Sequence, residues 1–429
     1  MNFIKQILYE LHNQKIMTWV SISGTALAIF LIMAMVMADR IVNVSISPES
    51  NREKILKGQN IAFYSQEGSS GSGMGLDYEL AKRLYENLDG VKTISYIALT
   101  WFPYDVGLPK QKTITAIGIK VDDEYWNIYD YKFVSGSPFD KAEIESGQKL
   151  VVLTESVARD IFKETDVSGR EIDVDGEPYI IKGVVKDSFP LLPDGTVKVF
   201  TNYSNDSTSG FGEGIFGSTM VRLLLEDGVD PEFVKNQVEK RYSEINREIA
   251  SEGKELIYHL QPYTSEEMNS GSFGSNNEPD LKFKTRSMGL IYVILLLLPA
   301  INLSSMTQSR LQKRISEIGV RRAFGAKKKN IISQIFTENL FLSLIGGCIG
   351  LGLSLIFVAF LSGYFVSVTD LNFNAISTFD LSPVIWHVFD FSAFFIAFGA
   401  CFVLNLLSAF VPAWKASQVE PTVAISKTR

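Results

Sequence analysis

The chain has 429 residues, of which 46% are hydrophobic and 21% charged, and its formal net charge is -7. That length leaves room for more than one unit, because about 150 residues per domain is a soft prior. The acidic balance leaves nucleic acid outside the expected partners, and a total of two cysteines excludes a disulfide scaffold.

The apolar residues are concentrated in four segments, each nearly free of charge over roughly 18 residues or more. That is the length needed to cross a hydrocarbon core of ~30 Å at ~1.5 Å per residue. In chain order, residues 1–16 place Phe3, Ile4, Ile7, Leu8 and Leu11 at helical spacing and predict an interfacial helix lying on the inner leaflet. Residues 17–38 form the first expected transmembrane helix. Its apolar run exceeds the ~7 to 15 residues of a signal peptide and lacks a small-residue cleavage site, so it reads as a retained anchor.

Residues 39–285 mix strand and helix signals and predict an α+β extracytoplasmic domain of two subdomains, one inserted into the other. "SGSGMG" reads as a flexible loop, since it has neither the lysine of a phosphate-binding loop nor a clear preceding strand. "LDYELAKRLYENLDGV" repeats leucine at Leu76, Leu80, Leu84 and Leu88 and predicts an amphipathic helix ending at Gly90. "KTISYIALTW" and "KTITAIGIKV" predict strands. "QKLVVLTESVARDIF" predicts a buried strand, a cap at Thr154 or Ser156, and a helix. "REIDVDGEPYIIKGVVKD" predicts a hairpin about its Asp-Gly turn. "STMVRLLLED", "DPEFVKNQVEKRYSEINREIA" and "ELIYHLQPY" then predict strand, long helix and closing strand. The polar run Ser265 to Pro279 is expected to be a loop or hinge.

Residues 286–306 form the second expected span, in which Pro299 and Asn302 mark a kink and an interhelical hydrogen bond. A cytoplasmic loop, 307–337, precedes the third span, 338–368. That span carries Gly346, Gly347, Gly350 and Gly352 as a small-residue face for close helix approach, either between chains or within one. An extracytoplasmic loop (369–390), a fourth span (391–413) and a cytoplasmic tail (414–429) complete the layout. Cys348 and Cys401 both fall inside spans.

Orientation follows from the basic residues. The two terminal segments and the 307–337 loop together hold thirteen Lys and Arg against three acids, with Glu338 just beyond the loop, whereas 39–285 is strongly acidic. Cytoplasmic flanks carry the positive excess, so both termini and the loop are expected inside a cytoplasmic (inner) membrane and the large domain outside it. Lipid headgroup contact accounts for the charge of the loop.

No catalytic constellation is present. His12, His259 and His387 are widely separated, there is no HExxH, GxSxG or paired-cysteine motif, and GxxxxGK[ST] is absent. No catalytic, cofactor-binding or metal-ligating residue is therefore assigned, and ATP hydrolysis by this chain is not expected.

Charge alone does not explain the order of residues in the loop "RISEIGVRRAFGAKKKN". Leu311, Ile315 and Ile318 fall at i, i+4 and i+7, with Phe324 near the same side, before Gly325 stops the helix and a new one begins. This short helix is expected to present an apolar stripe to something in the cytoplasm.

The run "RISEIGVRRAFGAKKKNIISQIFTENLFLSLIGGCIG" resembles the loop and third helix of MacB/FtsX-type ABC transporter permeases. "PAWKASQVEPTVAI", with Pro412, Ala416, Ser417, Pro421 and Ala424, is similar to the closing motif of that family. "DYKFVSGSPFD", "KLVVLTESVARDIF" and "GREIDVDGEPYIIKGVVKD" resemble its MacB-like extracytoplasmic domain. The resemblance implies an integral membrane α-helical fold of four transmembrane helices, with a large α+β domain inserted between helices 1 and 2. It implies a separate ABC ATPase subunit, a second permease chain as homodimer or related heterodimer, and action by mechanotransmission. A periplasmic adaptor would be the added partner of an envelope-spanning efflux assembly. Glu317, Ile318, Gly319, Arg321, Arg322, Ala323, Gly325 and Ala326 are then the residues expected to dock into the ATPase. The alternative within the family is an FtsX-like regulator of a cell-wall hydrolase.

Overall fold

The computed structural model describes residues 15–43, 45–59, 61–65, 70–73, 75–99, 103–188, 196–203, 217–257, 259–268, 270, 280–313, 315–369, 389 and 391–418. The interfacial helix expected before residue 15, Arg314, nearly all of the 369–390 loop, and the closing motif beyond Gln418 lie outside these. The chain divides into two compact units, 1–40 with 285–361 and 382–429, and 41–284 with 362–381.

The outer unit is built on a mixed sheet. Its strands are β1 (Ile55–Gly58), β4 (Val91–Leu99), β5 (Tyr104–Gly107), β6 (Ile114–Ala116), β7 (Gly118–Val121), β8 (Phe133–Gly136), β9 (Leu150–Thr154), β10 (Glu171–Val174), β11 (Glu177–Val185), β12 (Val199–Asn202) and β13 (Thr219–Leu225). They run in the order β1-β13-β4-β7-β12-β9-β11-β10-β5-β6, with β8 added against β11. Two pairs, β9 with β11 and β7 with β12, are parallel. Parallel strands are covered on both faces, which is why "LVVLT" is apolar without alternation and buried at every position. The Asp-Gly turn forms as expected: Asp175 has φ 54° and Gly176 φ 82°, both left-handed, and β10 and β11 pair from Val174 with Glu177 outward.

Three departures from the sequence expectations have local causes. "SGSG" is not a loop: Ser70–Gly73 is strand β3, paired with β2 (Ile61–Ser65), which pairs in turn with β14 (Lys254–Ile257). A Gly/Ser composition removes side-chain packing but leaves every backbone N–H and C=O free to pair, and a neighbouring strand claims them. The leucine-rich helix, α2 (Tyr78–Tyr85), is a turn shorter at its C-terminal end and starts at the cap Asp77, whose carboxylate accepts from the amides of Glu79 and Leu80. Leu76 and Leu88 lie outside the helix yet share its core with Leu80, Leu84 and with Val234, Val238 and Ile245 of α4 (Pro231–Ile249). The closing strand stops at Ile257, since His259 and Leu260 both take left-handed φ.

The first strand of the sheet is paired with the stretch that follows β14. Lys57 and Tyr263 exchange both backbone hydrogen bonds, at 2.8 and 2.9 Å, and the side chain of Gln261 accepts from the amide of Gln59 at 2.7 Å.

The other unit is helical. Helices α1 (Lys15–Asn43), α5 (Leu281–Lys313), α7 (Lys328–Thr369) and α8 (Phe391–Gln418) cover the four expected spans, and α6 (Ile315–Ala323) lies between α5 and α7. Among the described residues, Thr18–Met37 and Lys328–Phe357 are long and apolar enough to cross a membrane, and Phe391–Leu404 is a shorter apolar run. The glycine face of α7 is used inside the chain. A Cβ on Gly350 would sit 2.5 Å from the carbonyl oxygen of Ala26 in α1, one on Gly346 would meet Thr25 at 2.9 Å, and one on Gly347 would meet the ring of Phe398 in α8 at 2.8 Å. Gly352 meets no neighbour within 4 Å.

Candidate coupling helix

Helix α6 is nine residues long and ends in a left-handed turn. Gly325 has φ 92°, the amide of Phe324 donates to the carbonyl of Val320 at 3.1 Å, and that of Ala326 reaches back to the carbonyl of Arg321 at 3.0 Å. The last of these is the six-to-one bond of a Schellman end, and a glycine supplies its positive φ without a Cβ penalty. Helix α7 starts two residues further on, so the pair forms a tight hairpin of helices.

The apolar residues of α6 divide between two directions. Ile318 is 7% exposed and packs on Ile331 and Ile335 of α7. Gly319 is also buried. Val320 and Ala323 are exposed, and Phe324 is 88% exposed. Ile318, expected on the docking face, is thus occupied in holding α6 against α7, and the outward apolar feature is Phe324 with Val320 behind it. Arg321 is held too: its Nη1 donates to Oε1 of Gln334 at 3.0 Å, and Nε2 of Gln334 donates to the buried Glu338 at 3.1 Å. The three side chains form a polar chain from α6 to the first turns of α7. Gly325 is exposed and Ala326 half-buried, while the side chains of Glu317 and Arg322 lie outside the described residues. Helix α6 also lies against α8.

The residues that sequence reasoning missed are Ile331, Gln334, Ile335 and Glu338. Their spacing of three and four along "IISQIFTE" is the available signal for a face turned to a neighbour.

The described residues contain no cluster of His, Cys, Asp and Glu able to hold a metal ion. The arrangement is a short helix, fixed on its inner side by three isoleucines and a polar chain, with an aromatic ring projecting at its end.

Residues 18–241, more than half of the chain, match the MacB-like periplasmic core domain, and residues 289–421 match the FtsX-like permease C-terminal region. The chain belongs to the MacB/FtsX-type permease family. Among curated relatives, the uncharacterized ABC transporter permease YknZ of Bacillus subtilis is 26% identical over 54% of this chain and 55% of its own length. The macrolide export ATP-binding/permease protein MacB of Escherichia coli O157:H7 is 25% identical over 72% of this chain and 43% of its own. The chain therefore spans about half the length of the curated relatives it matches. Among solved structures, the periplasmic region of MacB from Actinobacillus actinomycetemcomitans aligns over 50% of this chain and 94% of its own, at 14% identity and a TM-score of 0.35. A domain of a putative permease protein from Porphyromonas gingivalis aligns over 48% and 87%, at 17% identity and a TM-score of 0.35. The MacB/FtsX-type permease thus carries α6 within its FtsX-like region and the mixed sheet within its MacB-like one.

Proposed function

We propose that this chain is the permease subunit of an ABC transporter in which a separate ATPase subunit grips α6. Nucleotide-driven motion of that subunit moves α6 and the helices behind it, changes the separation of the outer domains of two permease chains, and exports or extracts a substrate such as an antimicrobial, a peptide or a lipoprotein. The observation that carries the reading is the exposed Phe324 at the end of a helix otherwise locked to its own chain. An isolated aromatic ring held rigidly outward is the sort of anchor that fills a pocket on a partner. In this reading all four long helices cross the membrane, both termini are cytoplasmic, and Glu317, Gly319, Arg321, Arg322, Ala323, Gly325 and Ala326 belong to the segment that the ATPase engages. The apolar side chains exposed along α5, Leu290, Val293, Leu297 and Ile301, suit lipid or a second permease chain.

The test is co-purification of Phe324→Ala with the partner ATPase, together with ATP turnover of the complex. Loss of at least tenfold in association is expected, in line with the ~1.4 kcal/mol or more carried by a central aromatic anchor. Unchanged binding and turnover would remove α6 from the contact. The match of the outer region to the MacB-like core favours transport over control of a cell-wall hydrolase, and a strain lacking the protein should lose export or extraction before it loses cell separation.

A further inference from the structure

The cytoplasmic end of α7 carries a feature that coupling does not use. An open groove of about 420 Å³ runs between α7 and α8, with Lys329 at one end and walls made by Ile332, Phe336 and Leu340 of α7 and Phe402 and Leu406 of α8. Its two polar wall residues are neutral, and the hydroxyl of Thr337 donates to the carbonyl of Ser333 at 2.8 Å. From Lys329 to Leu340 the groove follows eleven residues of helix, ~16 Å. That is about half of a ~30 Å hydrocarbon core, the depth of one leaflet, counted from Lys328, where the segment long and apolar enough to cross a membrane begins, ten residues before the start expected from the sequence. At its charged end, Lys327, Lys328 and Lys329 are all exposed, and no acid lies in the first turn of the helix. Positive side chains at a helix N-terminus repel the helix dipole unless an anion sits among them.

We infer that this groove is a binding site for one anionic phospholipid, its phosphate held by Lys329 and an acyl chain lying along Ile332, Phe336 and Leu340. An apolar trough of one-leaflet depth with its only charge at the headgroup level fits that occupant, whereas a second protein chain would leave the lysine end uncompensated. The site adjoins the hairpin that fixes α6, so lipid composition sets how firmly the coupling helix is seated. The inference rests on α7 crossing the bilayer with its lysine end inward.

The full chain is purified in mild detergent and exchanged into nanodiscs of phosphatidylcholine with or without phosphatidylglycerol, and retained lipid is counted by native mass spectrometry. The wild type is expected to keep phosphatidylglycerol over phosphatidylcholine. Lys329→Gln should lower that preference about fivefold, the factor set by ~1 kcal/mol per lysine near an anionic surface. Ser333→Trp, which fills the trough, should abolish it, and Lys15→Gln, a basic residue on another helix, should leave it intact. Equal losses in Lys329→Gln and Lys15→Gln, undiminished retention in Ser333→Trp, or a change of oligomeric state in Ser333→Trp without loss of lipid would each overturn the site. Extraction of the wild type from membranes by alkaline carbonate would instead overturn the membrane reading, so the two failures are distinguishable.

Discussion

Asp187 shows how a residue remote in sequence completes a local element. The helix α3 (Glu155–Phe162) has Thr154 at its cap position, but the threonine side chain makes no capping bond. The carboxylate of Asp187 does so instead, accepting from the amide of Ser156 at 2.9 Å and from its hydroxyl at 2.5 Å, while Lys198 neutralises it at 2.7 Å. Asp187→Ala should lower the stability of the outer unit by about 1 to 2 kcal/mol, the range for loss of a helix cap, read as a shift in denaturant midpoint. The sequence announced a cap here but could not name the acceptor that supplies it, because the acid arrives 31 residues later. A second acid makes the outer unit sensitive to pH. Burial pushes the Asp122 carboxyl up to about 7, against the opposing effect of hydrogen bonds from Ser95 and from the amides of Tyr96 and Tyr125. Since the folded value lies above the unfolded value of 3.8, the folded state holds the proton more tightly, and this stabilisation is present at low pH and is lost as pH rises toward 7. The unfolding midpoint of the outer unit should therefore fall between pH 5 and pH 8, and Asp122→Asn should flatten that slope. A slope unchanged in the variant would place its origin elsewhere.

At the scale of elements, the turn after α6 is the sensitive point. Gly325 meets no neighbour that a Cβ would strike, but its φ of 92° is outside the range that side chains tolerate readily. Gly325→Ala is expected to weaken the helix end by about 1 kcal/mol and to loosen the α6–α7 hairpin without altering its contacts. Hydrogen exchange at the amides of Phe324 and Ala326 would report it. Gly350→Leu differs, since the added side chain starts 2.5 Å from the backbone of α1. The two helices must separate, and loss of the folded helical unit, seen as aggregation on detergent extraction, is the expected result. The helices were legible because periodicity and glycine stops are local signals. The inward use of Ile318 was not, because a stripe of apolar residues reads the same whether its partner is another protein or residues 331 and 335 of the same chain. Strand β3 was hidden for a related reason: composition described its side chains, and its place in the sheet depends on its backbone.

At the scale of the whole molecule, the charge distribution makes its own forecast. A cysteine placed at Ala323 should react with a membrane-impermeant maleimide only after intact cells are permeabilised, and labelling from outside would reverse the assigned orientation. The hydrogen bonds between Lys57 and Tyr263 have a broader implication. Because the first strand of the sheet is stitched to the stretch just after β14, residues 57 to 263 form a segment whose two ends are paired. Such a segment can be lifted out of a gene, or traded for another of different size, without leaving long loose ends to be bridged. The pairing thus lets residues 57 to 263 be exchanged as one piece.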